Sequence, residues 1–180
     1  MSVGDRPRAG LAPEARLGNS ASGRQVRSGE HRGIPLCDGT LMLSLEVVPL
    51  PVTDIDRALI FYAEKAGFSL DVDYRPTAEF RVVQLTPPGS GCSVQLVAAG
   101  SPARVRNLCL VTPDLEAERT RLIARGVVVS PVRHKDPLET WAGGFGPGVD
   151  PGRRDYASFA DFADPDGNTW TLQERGHGGW

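Results

Sequence analysis

The sequence predicts an α+β fold made of two βαβββ modules. From Met42 onward the chain repeats the order of its strand and helix patterns, and in both copies an aspartate stands where the helix begins. The residues before this repeat have a different composition. We therefore predict a disordered N-terminal tail at 1–41, a domain at 42–175 with modules at 42–100 and 101–175, and a C-terminal tail at 176–180.

The first module runs from a strand through a helix to three more strands. Alternating apolar residues predict a strand over Leu43–Val52. Asp54 is the expected N-cap of the helix, and Gly67 is the expected residue just after its end. The three further strands are predicted at Ser69–Asp73, Phe80–Leu85 and Cys92–Val97.

The second module repeats this order. Its helix is predicted to begin after Asp114 and to end at Gly126. Residues 133–155 break the symmetry, because they are predicted to form one long glycine-rich loop. The strands of this module are predicted at Asn107–Thr112, Val127–Val132, Tyr156–Phe162 and Thr169–Gln173.

Composition narrows the class of protein. The net charge of −2 gives no basic footprint for nucleic acid. No apolar run approaches the roughly 20 residues of a membrane-spanning helix. Three cysteines without metal spacing predict reduced thiols and a cytoplasmic protein. The tail at 1–41 has no aromatic residue and is rich in Gly, Ser and Arg, which predicts disorder.

The segment Asp164-Pro165-Asp166-Gly167-Asn168 is a tight turn followed by an alternating strand. Together with the repeat, it resembles the C-terminal signature of the vicinal oxygen chelate superfamily of glyoxalase, bleomycin-resistance and extradiol-dioxygenase proteins. This resemblance implies two paired modules whose curved sheets surround a shared cavity.

The resemblance also locates a candidate site. Family members that use a metal bind it through one residue of the opening strand and one of the last strand in each module. These places correspond here to Val47, Gln95, Asn107 and Thr171, none of which is a carboxylate or an imidazole. A divalent ion needs such ligands to offset its dehydration, so we expect no metal and no other cofactor. Glyoxalase I chemistry and extradiol ring cleavage, which depend on that ion, are disfavoured.

The same positions suggest a ligand site. On the concave face they form a neutral, hydrogen-bonding floor that suits an uncharged or aromatic organic molecule. Trp141 and Phe145, which stand among glycines of the long loop, are candidates for a lid that closes over the ligand. The alternatives are a loop packed at random on the sheet edge, and floor residues that only satisfy one another or hold water.

Candidates for acid–base chemistry are few. His134 opens the long loop and is the one candidate catalytic residue, although a lone loop histidine is more often simply solvated. Strand alternation puts Glu174 on the opposite face from Thr171, where we expect a surface or edge charge. Which face of Phe80–Leu85 and of Tyr156–Phe162 lines the cavity stays open.

Two functions follow from these observations. The first is a small-molecule-binding homodimer of the bleomycin-resistance type, which sequesters its ligand without a metal. The second is a metal-independent lyase, isomerase or cyclase that acts on a small metabolite with His134 or a carboxylate as base. The sequence favours binding only slightly.

Overall fold

The computed structural model describes residues 43–100, 104–138 and 143–179. The predicted tail at 1–41 and the lid residue Trp141 lie outside these ranges. The described part forms one unit that begins at Leu43. Within it, no helix combines the length and the apolar character needed to cross a bilayer.

The first module forms a four-stranded sheet, here sheet 1, in the order β1-β4-β3-β2. β1 runs parallel to β4, and the other neighbours are antiparallel. Helix α1 continues directly into a π-helical turn. The bounds are β1 Val47–Val52, α1 Ile55–Ile60, the π-helical turn Phe61–Ala66, β2 Ser69–Tyr74, β3 Val82–Thr86 and β4 Ser93–Ala98.

The second module forms sheet 2, which has five strands in the order β5-β9-β8-β6-β7. β5 and β9 are parallel, as β1 and β4 are in sheet 1. The two modules therefore repeat each other, and the predicted α+β arrangement of paired modules is confirmed. The bounds are β5 Leu108–Thr112, α2 Leu115–Ala124, β6 Arg133–Asp136, β7 Gly144–Pro147, β8 Ser158–Ala163 and β9 Thr169–Glu174.

Both helices begin where the aspartates predict. Asp54 and Asp114 have extended backbones, and each side chain accepts a hydrogen bond of 3.0 Å from a backbone N–H of the first helical turn. Gly67 follows the first helix with φ 81°, a left-handed conformation that glycine adopts without steric cost.

Two predictions about the second module were wrong. Val127–Val132 is not a strand but contributes a single bridge, from Val129 to Phe162. Residues 133–155 are not one long loop, because β6 and β7 pair within them and extend sheet 2. Val127 and Val129 are buried and Val128 is 90% exposed, so the run alternates as a strand would, but only Val129 pairs with a neighbouring strand. The charged residues of β6 gave no apolar signal for the strand that does form.

The hydrophobic core joins the two modules. The aromatic rings of Tyr62 and Phe61 come from the first helix, and those of Phe162 and Trp170 come from sheet 2. Phe162 and Trp170 stack with their centroids 6.1 Å apart, and Tyr62 meets Trp170 edge to face at 6.0 Å. Offset and edge-on ring pairs stabilise a core beyond the area that they bury.

The turn at Asp164–Asn168 fastens one module to the other. Buried Asp164 accepts a 2.8 Å hydrogen bond from the Tyr62 hydroxyl through Oδ2. The Nδ2 atom of Asn168 donates to the same carboxylate at 2.7 Å and to the Pro51 carbonyl at 3.0 Å. Burial, and then the nearby Asp164 charge, raise the pKa of Tyr62 far above its usual range. The segment that most resembles a family signature therefore has a structural role.

The next acid of the turn strengthens this attachment. The Oδ1 atom of Asp166 accepts hydrogen bonds from the Thr53 backbone N–H at 3.0 Å and from the Arg57 guanidinium at 2.8 Å. Burial alone would raise the pKa of Asp166, but the hydrogen bonds from Thr53 and Arg57 outweigh it and lower the pKa. The turn of module two thus receives donors from the start of the first helix.

Candidate functional site

Each sheet has one face in the core and one face opposite it, here called the open face. In β9 the residues Trp170, Leu172 and Glu174 are buried, whereas Thr171 and Gln173 are only half-buried. Side chains alternate along a strand, so Thr171 and Gln173 lie on the open face of sheet 2. The same alternation puts Val47 and Gln95 on the open face of sheet 1.

The open face of sheet 1 carries mostly neutral hydrogen-bonding groups, with one carboxylate, that of Asp71, which accepts a hydrogen bond from the Thr86 hydroxyl. Gln95 on β4 lies directly opposite Gln84 on β3, and Val47 on β1 lies beside Ser93. The hydroxyls of Ser93 and Thr86 are 2.7 Å apart. Facing residues on adjacent strands have their Cβ atoms roughly 5 Å apart, so these side chains form one surface.

A groove of about 560 Å³ lies at the edge of this face, and its lining combines Gln95 and Val97 with Ile55 and Asp56 of the first helix. Its wall includes Arg81, whose guanidinium contacts Asp73 at 2.8 Å and Asp56 at 2.6 Å. The hydrogen bond from Arg81 holds the pKa of Asp73 below its usual value. These two carboxylates neutralise the guanidinium, but Arg75 and Glu79 also line the groove, so it combines charged groups with apolar ones and with the amide of Gln95.

The open face of sheet 2 is less neutral than the sequence predicted. Thr171 donates a 2.9 Å hydrogen bond from its hydroxyl to Oδ1 of Asp161, the residue opposite it on β8. The other oxygen of Asp161 pairs with the Arg133 guanidinium at 2.6 Å. Cys109 lies beside Thr171 on β5 and is exposed. A carboxylate and a guanidinium therefore share the face with Thr171.

Two aromatic rings border this ion pair. The Arg133 guanidinium lies 5.0 Å from the ring centroid of Phe145 and 5.9 Å from that of Phe159. The two rings meet edge to face at 5.9 Å, and Phe145 is half exposed. Phe145 thus lies on the open face as a ring that a flat ligand could contact.

Sequence reasoning left the facing of Asp161 open and missed Arg133 and Phe159. Alternation alone could not orient β8, because Phe159, Ala160 and Phe162 give apolar residues on both faces. The pairing of β8 with β9 settles it, since Asp161 lies opposite Thr171. Arg133 was placed in a loop, and its neighbour on the sheet is known only from the register of β6 with β8.

Asn107 immediately precedes β5 in a left-handed conformation with φ 59°. Its backbone N–H donates to the Thr169 hydroxyl at 2.9 Å, and the residue is exposed. Asparagine tolerates this backbone region better than most residues. The structure thus places Asn107 next to the open face of sheet 2, just before the first residue of β5 and not within the strand.

His134 does not reach the open face. In β6 it alternates with Arg133, so its ring lies on the opposite side of sheet 2 from Asp161 and Thr171. Its Nδ1 is 3.1 Å from the Gly148 carbonyl. The absence of a side chain at Gly146 leaves room for the ring, because a Cβ there would lie 2.7 Å from Cε1 of His134. The expected position at a cavity mouth is therefore not what the structure shows.

Glu174 lies on the face opposite Thr171, as predicted, but it is fully buried and not a surface charge. Its carboxylate accepts the backbone N–H of Leu115 at 3.2 Å, at the start of α2, and contacts Nε of Arg153 at 2.7 Å. A negative charge is stabilised at the N-terminus of a helix. Arg153 and the helix start together explain how this acid is buried.

The donor chemistry at the four family positions does not suit a metal ion. Val47 offers no ligand, and Gln95, Asn107 and Thr171 offer only neutral oxygens and nitrogens. Within residues 43–100, 104–138 and 143–179, no group of three or more His, Cys, Asp or Glu residues is arranged to hold one.

Comparison with known proteins is consistent with this geometry. Residues 44–172 match the family model described as the Glyoxalase/Bleomycin resistance protein/Dioxygenase superfamily. A search of curated proteins found no match.

Solved structures share the fold. TnmS3, an antibiotic binding protein from Streptomyces sp. CB03234, is 31% identical, with a TM-score of 0.54 over 75% of this chain and 98% of that one. A glyoxalase/bleomycin resistance protein from the same organism is 33% identical, with a TM-score of 0.52 over 72% and 99%. A superfamily member from Sphaerobacter thermophilus DSM 20745, 24% identical, has a TM-score of 0.55 over 74% and 98% and supports the fold alone.

Proposed function

Because the chain belongs to the Glyoxalase/Bleomycin resistance protein/Dioxygenase superfamily, we propose that it binds a neutral or aromatic organic molecule on its open faces. It sequesters this molecule in the manner of a bleomycin-resistance protein and uses no metal. The observation that carries the proposal is that Val47, Gln95 and Thr171 offer an aliphatic group, an amide and a hydroxyl where a metal would need charged ligands.

Ligand contacts divide between the two faces. The amides of Gln84 and Gln95 supply donors and acceptors that fix the orientation of a polar group. Phe145 and Phe159 supply ring faces and edges for an aromatic body. Asn107 contacts the ligand at the rim of the site, and Trp141 closes over it; the sequence alone supports these two roles. An antibiotic binding protein at 31% identity supports the same class of function.

The protein acts as a homodimer in this proposal. Val97 on sheet 1 is 40% exposed, and Val111 on the open face of sheet 2 is 47% exposed. The groove that Gln95 lines includes no residue of sheet 2. A second copy would cover these apolar residues and bring sheet 1 of one chain to sheet 2 of the other. Most soluble homo-oligomers are symmetric dimers, and such a dimer would contain two equivalent sites.

The proposal also includes a cytoplasmic location and no binding to nucleic acid. Cys92 and Cys109 are free thiols, which suits a reducing compartment. The net charge of −2 disfavours a polyanionic partner.

A neutral polycyclic dye tests the site directly. Nile red fluoresces when it enters an apolar site, so we expect saturable enhancement with the wild-type protein. Val47→Trp and Cys109→Trp each place a bulky ring on an open face. Each substitution should abolish most of the fluorescence enhancement. Val128→Trp, at a position that is 90% exposed and off the open faces, is the matched control and should bind like wild type.

Circular dichroism would confirm that each variant keeps its fold. Gln95→Ala should weaken binding by about 1–3 kcal/mol, the cost of removing one buried hydrogen-bonding partner. Unchanged enhancement in both Val47→Trp and Cys109→Trp would show that the dye binds elsewhere and would overturn the assignment of the open faces.

Asp161 supports a second candidate function. Its carboxylate lies on the open face beside Thr171 and Arg133, where it could accept a proton from a bound substrate. The alternative is therefore a metal-independent lyase, isomerase or cyclase with Asp161 as base, in place of His134. Mass spectrometry of bleomycin recovered after long incubation separates the two in a first probe. Recovery of unaltered bleomycin from a stable complex supports sequestration, and a product that forms with wild type but not with Asp161→Asn supports the enzyme.

A further inference from the structure

A second cleft lies on the helix side of the protein, and of the residues assigned above to the open faces only Val111 also lines it. It has a volume of about 460 Å³ and lies where the end of the first helix faces α2. Its apolar wall comes from both modules and includes Phe68, Leu122, Phe162 and Leu172. These side chains belong to the core faces of the two modules. The cleft thus shares none of Val47, Gln95, Thr171 or Phe145 with the proposed ligand site.

Two guanidinium groups converge at the rim of this cleft. A Cβ at Gly67 would lie 2.7 Å from Nη1 of Arg121 and 2.9 Å from Nη1 of Arg125. Both groups therefore approach the same point above the left-handed Gly67, where only a residue without a side chain leaves them room. Convergent guanidinium groups of this kind match the oxygens of a carboxylate.

The charges at the rim do not cancel. Glu118 is the only acidic residue among those that line the cleft, and it already binds Arg121 through both oxygens. Arg121 also donates to the Ala66 carbonyl at 2.9 Å, which neutralises the negative end of the first helix. The side chain of Arg125 makes no hydrogen bond or ion pair with the residues that the structure describes, so one positive charge stands uncompensated beside an apolar wall.

We propose that this cleft binds a small amphipathic monocarboxylate, with its carboxylate at Arg125 and Arg121 and its alkyl or aromatic body against Phe68 and Leu122. The volume lies within the roughly 300–1,000 Å³ of small-molecule sites. The apolar wall would shelter the body from water, and the unpaired guanidinium would select an anion over the corresponding alcohol. This site does not depend on the function proposed for the open faces.

Octanoate and 1-octanol are the probes, because they share one alkyl chain and differ in charge. We would follow amide signals of ¹⁵N-labelled full-length protein by NMR during titration with each. Octanoate should shift the signals of Gly67, Leu122 and Arg125 at lower concentration than octanol does. Added salt should weaken the binding of octanoate, because it screens the contact between carboxylate and guanidinium.

Variants at exposed positions make the test specific. Arg125→Ala should weaken octanoate binding about fivefold or more, because a charge-assisted contact is lost, and Arg125→Lys should keep most of it. Arg106→Ala removes the same charge from an exposed position outside the cleft and should have no effect. Pro88→Trp, at the exposed edge of the cleft, should block access to it.

Three results would overturn the proposal: equal affinity for octanol, unchanged affinity in Arg125→Ala, or shifts confined to the open faces. Nile red binding in Arg125→Ala keeps the two proposals apart. Arg125→Ala should bind Nile red as well as wild type does. Failure of the cleft proposal would therefore leave the open-face assignment intact, and failure of the open-face assignment would leave the cleft proposal intact.

Discussion

Replacing Tyr62 with phenylalanine tests the attachment between the modules. Tyr62 is fully buried, and its hydroxyl donates to Asp164 at 2.8 Å and accepts from Nε1 of Trp170 at 3.1 Å. Phenylalanine keeps the ring and its packing but removes both hydrogen bonds. Asp164 retains its bond from Asn168, whereas the indole N–H of Trp170 loses the partner that the structure gives it.

The expected loss of stability follows from the two hydrogen bonds that Tyr62→Phe removes. A hydrogen bond to a charged group contributes about 1.5–3 kcal/mol, and a buried donor left unsatisfied costs about 1–3 kcal/mol. Partial compensation at Asp164 brings the expected loss to roughly 2–4 kcal/mol. For a domain of this size the melting temperature should fall on the order of 5–12 °C.

Urea denaturation followed by far-ultraviolet circular dichroism measures this loss. The midpoint should fall while the slope of the transition stays unchanged, because the surface exposed on unfolding is the same. Tyr74→Phe is the matched control, since Tyr74 is 59% exposed and should change stability by less than about 0.5 kcal/mol. A Tyr62→Phe protein as stable as Tyr74→Phe would refute the view that the turn at Asp164 fastens the two modules together.

Three further predictions concern acid, metal and the tail. The hydrogen bond from Arg154 lowers the pKa of buried Asp150 to about 2, below its value in the unfolded chain, so its contribution to stability is complete above about pH 4 and is lost as the pH falls toward 2. The free energy of unfolding, measured by denaturation at a series of pH values, should therefore fall less between about pH 4 and pH 2 in Arg154→Gln than in wild type. Equal losses of stability would contradict the pairing of Arg154 with Asp150. Elemental analysis should find less than stoichiometric Zn, Ni, Fe or Mn, and EDTA should leave Nile red binding unchanged, whereas stoichiometric metal that disappears in Gln95→Ala would refute metal independence. Deletion of residues 1–41 should leave the melting temperature within about two degrees of wild type, and a large fall would show that the tail contributes to the core.

Features that depend on neighbouring residues could be predicted from the sequence. The caps at Asp54 and Asp114 and the tight turn at Asp164–Asn168 follow from local backbone chemistry, and the structure contains all three. The partners of that turn could not be predicted, because Tyr62 and Thr53 are distant in the chain.

The same limit applies to the candidate site. Val47, Gln95 and Thr171 were placed by a resemblance and by alternation within single strands, and both suffice to choose a face. The face on which Asp161 lies could be assigned only from the register between β8 and β9, because β8 has apolar residues on both of its faces. Glu174 was expected at the surface because its neutralising partner, Arg153, comes from a different segment. Burial of a charge depends on such distant partners and has no local pattern.

Mixing two defective variants tests the central claim, that sheet 1 of one copy and sheet 2 of another form the ligand site. Val47→Trp should block sites through sheet 1, and Cys109→Trp should block them through sheet 2. After unfolding and refolding together, half of the dimers should be mixed, and each should contain one site without either substitution. Nile red enhancement should then return to about one quarter of the wild-type value, although neither variant alone binds the dye. No recovery in refolded mixed dimers would contradict the claim and would place the site within a single chain.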